Sequence, residues 1–324
     1  MIPLGDAALL LPATQGYCRA VLVIETPELP LPGRGATAER FHRLADLGRR
    51  DPVAARLGEG HADALAIRAE LGDDGEDGHG GAGRWGVWAA VPTSVRAVQS
   101  PHGWRLTGDR PWCSGAAWCT HALVTAEADD GIRLFAVTNE PPHAVALDGT
   151  WPAVGMAASD SRTIRFTDAP ARPVGRPGEY VNRPGFWHGG IGVAACWYGG
   201  ALGIADLLRE KATDPHAFAH LGAVDVALGA ARAVLREAAA AIDADPAAIQ
   251  HRLALRVRAT VEAAATEVID RVGRATGAGP LCRDDRHAHR VADLTVYLRQ
   301  SHAEKDLEQL GRLVAGLGDE DSPW

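Results

Sequence analysis

The sequence predicts a mixed α+β chain in three parts. These are a short N-terminal helical region with a Gly-rich linker (residues 1–83), a central β-barrel or sandwich (84–176), and a C-terminal antiparallel helical bundle (177–324). Three observations predict it. Residues 84–175 break into short β-favouring segments with turns between them and no helical period. Beyond Pro184 the apolar residues recur at helical spacing to the end of the chain. Residues 71–83 read Leu-Gly-Asp-Asp-Gly-Glu-Asp-Gly-His-Gly-Gly-Ala-Gly, a flexible linker by composition.

Residues 1–35 are Pro-rich and irregular, with a short apolar run at 20–24. A helix over 38–47 follows, with Thr37 as its cap; Arg40 stands where a capping box would have Glu. A second helix starts at Asp51-Pro52 and carries Val53, Leu57, Ala64, Ile67 and Leu71 at helical spacing. Glu59 and His61 lie inside it and read as a solvated or capped pair, outside any site. His79 reads as part of a solvated loop. Strands are expected at 85–91, 94–98, 104–107, 111–114, 122–126, 132–138, 145–147 and 162–167. Helices are expected over 185–211, 218–243, 246–274 and 285–317. The first of these holds Gly189, Gly190, Gly192, Gly199, Gly200 and Gly203. Each costs about 1 kcal/mol in a helix, so their number implies close approach of another backbone or of a flat ligand.

Bulk properties narrow the function. Apolar residues make up 46% of the 324, which is ordinary for a globular chain. The net charge is −8 with no basic stripe, which argues against a nucleic-acid partner. Five cysteines without a Cys-x-x-Cys argue against a disulfide framework and a zinc site. No basic leader and no long uncharged run is apparent, so the expectation is a cytoplasmic protein with no membrane partner.

The most informative stretch runs from Gly103 to Gly115, Gly-Trp-Arg-Leu-Thr-Gly-Asp-Arg-Pro-Trp-Cys-Ser-Gly. Gly103 and Gly108-Asp109 are turn signals around the strand 104–107. On the next strand Trp112 and Ser114 flank Cys113, so their side chains emerge on one face. A flat indole beside a small hydroxyl suits a planar heteroaromatic ring: the indole covers a face and the hydroxyl meets a polar edge. Periodicity alone equally fits a core Trp next to a turn Ser.

This stretch resembles the flavin-contacting strand of acyl-CoA dehydrogenases, where Gly-Trp-x-Leu-x-Gly-x-Lys-x-Trp-Ile-Ser/Thr precedes a small-residue turn. The resemblance continues through 134–137, 155–161 and 174–178 and covers most of residues 84–280. It implies FAD as cofactor, with Trp112 beside the isoalloxazine, Ser114 at its N5 edge and Cys113 between them. The family's Tyr-x-x-Thr-Glu-Pro strand reads here Val87-Trp88-Ala89-Ala90-Val91-Pro92, so Ala90 replaces the threonine and leaves only backbone groups for the flavin. The pyrophosphate-binding arginine of the family is missing from 214–218. The segment 274–279 resembles the family's Gln-x-x-Gly-Gly contact to a neighbouring subunit's dinucleotide. There Gly277 would allow close backbone approach, Thr276 precedes it, and Arg274 would supply the missing charge. The N-terminal part is shorter than is usual in the family, so part of the substrate wall is absent or comes from another chain.

The resemblance further implies oxidation of the CH–CH group of an acyl thioester, a small-molecule substrate, an electron-transfer flavoprotein as acceptor, and a homodimer or homotetramer. The family's glutamate base is not matched: the corresponding positions fall near residues 298–302 and Val193 and hold no carboxylate. The nearest candidates are His302, able to act as a base near neutral pH, and Glu304, with Gln300 as a donor to a substrate carbonyl. Asp293, Tyr297, Ser301 and Glu304 share a helix face, which fits a solvated polar face as well. Three readings therefore stay open: an acyl-CoA dehydrogenase or a monooxygenase or oxidase relative, a non-catalytic scaffold with the same fold, and a β-sandwich binding module with an appended bundle.

Overall fold

The computed structural model describes residues 29–73, 83–90 and 93–316. Cys18, the run at 20–24, His79 with most of the linker, and Val91-Pro92 lie outside them. The chain forms two compact units, one built on residues 53–186 and the other on 30–52 together with 187–316. The division follows packing rather than the sequence order of helices, strands and helices: the first helix joins the C-terminal ones, while the second joins the strands.

The first unit holds helix α2 (Pro52–Glu70), whose Pro52 lies just outside it, and strands β1 (Trp85–Trp88), β2 (Arg96–Ser100), β3 (Gly103–Cys113), β4 (His121–Ala128), β5 (Gly131–Thr138), β6 (Ala144–Leu147) and β7 (Arg162–Val174). The pairings β4–β2–β3–β7–β5–β4 run in a closed ring, with β1 added on β4 and β6 on β7. β4 reads His-Ala-Leu-Val-Thr-Ala-Glu-Ala and is buried on both faces except at Glu127, around the apolar run Ala122–Val124. Ala64 and Ile67 of α2 pack on Trp85, Leu123, Leu134 and Val174, which joins helix to sheet.

β3 is a single strand where the sequence suggests two. Gly108-Asp109 continues the strand and is not a turn; the bulge opposite it lies on β7, between Phe166 and Ala169. The register of β3 with β7 slips between Leu106 and Gly108 and slips again between Arg110 and Cys113. Gly108 has φ +132°, and a Cβ there would stand 2.6 Å from the Ser94 carbonyl oxygen, so only glycine fits. β7 runs past the expected end at 167 because it pairs with β3, β5 and β6. β1 stops at Trp88 rather than at 91.

The second unit contains α1 (Thr37–Arg50), most of α4 (Pro184–Lys211), α5 (Pro215–Ala244), α6 (His251–Thr276), α7 (Ala278–Arg283), α8 (Asp285–Tyr297) and α9 (Glu304–Ala315); the short α3 (Glu179–Asn182) belongs to the first. Thr37 does not cap α1. Ala36 holds that position, and Asp243 of α5 supplies the acceptor, taking hydrogen bonds from Thr37 N, Thr37 Oγ1 and Gly35 N at 3.0, 2.6 and 3.0 Å.

Two of the α4 glycines, Gly199 and Gly203, answer to a backbone, while Gly190, Gly192 and Gly200 face side chains of Arg258, Leu44 and Leu294. Added Cβ atoms at Gly199 and Gly48 would collide with the carbonyl oxygens of Ala45 and Cys196, and one at Gly203 would stand 2.5 Å from that of Arg49. α1 and α4 thus touch main chain to main chain. Two helices, α4 and α5, are long and apolar enough to cross a membrane; the apolar window of α4 is 72% buried and that of α5 only 22%.

The helix expected over 285–317 is broken. After Tyr297 the chain tightens into a 3₁₀ turn over Leu298–Gln300 and re-enters helix at Glu304, with Ala303 at φ +47°. Ser301 Oγ accepts from Ala303 N and the Asp306 carboxylate accepts from His302 N, so side chains compete for backbone groups that a helix needs. Asp293 and Tyr297 are buried while Glu304 is exposed, so the expected common polar face does not exist.

The glycine contacts make a direct prediction. Gly199→Ala should cost about 2–3 kcal/mol through overpacking. Gly222→Ala, in α5 with nothing within 4 Å of the new methyl, should gain about 0.5–1 kcal/mol by propensity. Urea denaturation of the two variants checks both signs.

Candidate functional site

The end of β3 presents the clearest candidate surface. Trp112 is 67% exposed, the largest side chain among the exposed apolar residues described, and its φ is +61°. A bulky residue in the left-handed region costs on the order of 1–3 kcal/mol. The bulge between Arg110 and Cys113 forces the twist, and it turns the indole outward. Cys113 points the other way and is fully buried. Its Sγ donates to the Arg110 carbonyl at 3.2 Å, and burial pushes the thiol up to about 12 despite the Arg110 charge. The side chain of Cys113 therefore cannot meet a ligand at this surface, which corrects its place among the expected contacts.

Ser114 is half-buried beyond it. Ser114 Oγ lies 3.1 Å from Ser161 Oγ, which lies 2.7 Å from Ser159 Oγ, and Ser159 Oγ donates to the Met156 carbonyl at 2.7 Å, so the Ser114 hydroxyl ends a chain of hydrogen bonds. The loop after Ser114 is fixed from two sides. Gly115 N and Ala116 N donate to the carbonyls of Ser159 and Asp160 at 2.8 and 3.0 Å, and Asn139 Nδ2 donates to those of Ala116 and Cys119 at 2.7 and 2.8 Å. The indole is thus exposed, and the loop that carries the hydroxyl two residues on is fixed in place. Ala90 fits less well: its carbonyl already accepts from the buried Arg110 guanidinium, so that backbone oxygen is engaged.

Arg56, Leu57 and Gly60 of α2, β1 and Cys119 line a crevice beside Ser114 with room for about one water molecule. Gly86 keeps it open, since a Cβ there would meet Trp88 Nε1 at 2.8 Å; Trp88 Nε1 donates to the Ser114 carbonyl at 3.0 Å. Behind the crevice stands a charged group that sequence reasoning left out. Glu59 is buried, not solvated: Arg56 Nη1 donates to its Oε2 at 2.7 Å, and Asp63 bonds to it one turn on. Burial raises the Glu59 carboxyl to about 8, with Asp63 adding to the rise and Arg56 opposing it. His61 Nδ1 accepts from Trp85 N at 3.1 Å, and burial lowers the ring to about 4. Burial also pushes the Tyr180 phenol up to about 12, against the pull of Arg183 and Arg110. The signal was present: Arg56, Glu59 and Asp63 repeat at 3 and 4 residues as a polar stripe on a helix otherwise buried by apolar residues.

The remaining expected residues belong to the second unit. Arg274 is exposed and pairs with Asp270 at 3.5 Å, and Thr276 Oγ1 donates to the Val272 carbonyl at 2.8 Å. Gly277 has φ +67° between α6 and α7, and nothing stands within 4 Å of its missing side chain. That short segment faces open space and offers backbone to a ligand or a second chain. His302 is exposed and paired with Asp306 at 3.2 Å. Glu304 and Gln300 are exposed too, and the Gln300 carbonyl accepts from Arg258 at 3.0 Å. These three do not form a cluster with a buried, tuned base among the described residues.

No protein-family model matches the chain, and no curated protein matches it. Solved structures do. Methanesulfinate monooxygenase MsuC from Pseudomonas fluorescens superposes with a TM-score of 0.78 at 17% identity, covering 96% of this chain and 95% of that one. Butyryl-CoA dehydrogenase from Megasphaera elsdenii gives 0.75 at 15%, covering 86% and 82%. XiaF from Streptomyces sp., solved with FADH2 and glycerol, gives 0.71 at 19%, covering 87% and 82%. The chain has the acyl-CoA dehydrogenase-like fold.

Two outcomes follow from the geometry. Trp112→Gly should stabilise the fold by about 1 kcal/mol in thermal denaturation by relieving the left-handed strain. The second concerns pH. Between pH 6.5 and about 8 the unfolded chain ionises Glu59 while the fold keeps it protonated, so stability falls with rising pH by about 1 kcal/mol per unit. Below 6.5 His61 acts oppositely, because the unfolded chain binds a proton there that the fold excludes down to about 4. Glu59→Gln should abolish the fall above pH 6.5 and leave stability rising with pH below it, as read by denaturant midpoints across pH.

Proposed function

We propose that this chain is a flavin-dependent oxidoreductase that binds FAD against Trp112 and Ser114. The observation that carries the reading is the exposed indole held in a strained backbone two residues from a hydroxyl anchored through Ser161. Strain of this kind persists where the surroundings over-determine it, and such positions cluster at ligand sites. The neighbours' names support the same reading: one was solved with FADH2, and others are a butyryl-CoA dehydrogenase and a methanesulfinate monooxygenase.

Bound FAD supplies the two-electron redox chemistry. This chain's residues do the rest. Trp112 would cover the ring and Ser114 would meet its polar edge. Arg274, Thr276 and Gly277 offer charge and open backbone to the dinucleotide of a second copy, which makes the enzyme a homodimer or homotetramer. The specific reaction we put first is CH–CH oxidation of an acyl thioester, in the cytoplasm, with an electron-transfer flavoprotein as acceptor. Oxygen insertion is the second reading. The exposure of His302, Glu304 and Gln300 favours it, because thioester dehydrogenation needs a positioned base and these three offer none.

The test starts with FAD uptake, followed by visible absorbance. Trp112→Ala should weaken it tenfold or more, about 1.4 kcal/mol, and Ser114→Ala should shift the flavin band. Anaerobic bleaching by acyl-CoA thioesters identifies a dehydrogenase. Oxygen consumption by the chemically reduced enzyme, with hydroxylated product, identifies a monooxygenase. A chain that takes up no FAD is neither.

A further inference from the structure

Among the described residues of the strand-rich unit three arginines are buried, and two of them have an acid. Arg68 pairs with Asp73 at 2.8 Å, and Arg183 pairs with Glu70. Arg110 on β3 has no such partner among the described residues. It is 1% exposed, its Nη2 donates to the Ala90 carbonyl, and its Nε has no hydrogen-bond partner. The ionisable groups that act on it are Cys113 and Tyr180, a thiol and a phenol that burial keeps neutral. Glu59 and Asp63 act on Tyr180 and not on Arg110. A guanidinium keeps its proton, so a full positive charge stands uncompensated in the interior. A buried charge without a partner is among the costliest arrangements in a fold.

Its place gives that charge a use. The guanidinium ties β3 to Ala90, and Trp88 Nε1 ties the end of β1 to the Ser114 carbonyl at 3.0 Å. Both ties join the short stretch 88–90 to the segment 110–114 that carries Trp112. A ring held by Trp112 and Ser114 therefore lies near this charge, and the burial that keeps water from Arg110 also keeps water from screening it.

We propose that the buried Arg110 guanidinium is a fixed counter-charge for a ligand that turns anionic on reduction, so that the site binds reduced FAD more tightly than oxidised FAD. The inference rests on the flavin reading and adds to it the residue that sets the flavin's potential. Reduction at neutral pH brings two electrons and one proton to the ring, which leaves one more negative charge there, and a protein charge near the ring nitrogens tunes that gain. A unit charge about 10 Å away, at an effective dielectric of ~20, shifts affinity on the order of tenfold. The hydrogen bond to Ala90 holds the guanidinium in place without using its charge, since a neutral amide can donate there as well.

The test is anaerobic titration of the full chain with oxidised FAD and with dithionite-reduced FAD. The wild type should bind the reduced form about tenfold more tightly, equivalent to a two-electron potential about 30 mV above that of free FAD. Arg110→Gln keeps a donor for Ala90 and removes the charge, so it should bring the two affinities to within about twofold of each other. Arg110→Lys should keep the preference for the reduced form. Equal wild-type affinities overturn the proposal even if a variant fails to fold. A preference that survives Arg110→Gln overturns it too and leaves the residue a backbone clamp. Uptake of oxidised FAD without a preference overturns this inference alone, whereas a chain that takes up neither form overturns the flavin reading and this inference with it.

Discussion

Between Arg110 and Cys113, β3 carries one more residue than its pairing with β7 can use. The surplus must leave the ladder, and most of the candidate site follows from where it goes. Earlier in the same pair the surplus lies on β7 instead, between Phe166 and Ala169, where Asp168 also has φ +47°. Two bulges of opposite sense keep the strands aligned overall while bending them locally. The second turns Trp112 out, turns Cys113 in, and delivers Ser114 to the loop pinned by the 156–161 segment.

Against this rigid end stands a group of buried charges on α2. Burying a carboxyl is costly, and a protein can neutralise it or pair it. Glu59 does both in part, with Arg56 on one side and Asp63 on the other. Such half-resolved electrostatics is ordinarily selected against in a structural core. Here it sits within one helical turn of Arg56 and Gly60, which line the crevice beside Ser114.

Much of the fold was legible in the sequence. The change from period 2 to period 3.6 located the strands and the long helices within a few residues, because burial on one face writes that period directly. The resemblance of 103–115 singled out Trp112 and Ser114, which the structure holds outward. What the sequence concealed depends on register and on packing between distant segments. Gly108-Asp109 looks like a turn locally and stays in the strand only because β7 lies alongside, with the surplus residue on β7. The break after Tyr297 comes from Ser301 and Asp306 bonding to backbone groups, a competition that periodicity does not register. Cys113 was misjudged because the strained φ of Trp112 decides which way its neighbour faces. Glu59 was set aside because an acid in a helix is usually solvated, and only the sheet packed over α2 shows otherwise.

The two units differ in how the chain is apportioned to them, and that has a consequence for the order of assembly. Residues 53–186 are contiguous, so a ribosome releases the whole strand-rich unit before most of the helical one exists. α1 emerges first yet finds its partner glycines only in α4, across the entire intervening unit. Until then its apolar stripe, with Phe41, Leu44 and Leu47, has no native cover and must wait exposed. The early helix is therefore the segment of this protein most in need of a chaperone during synthesis.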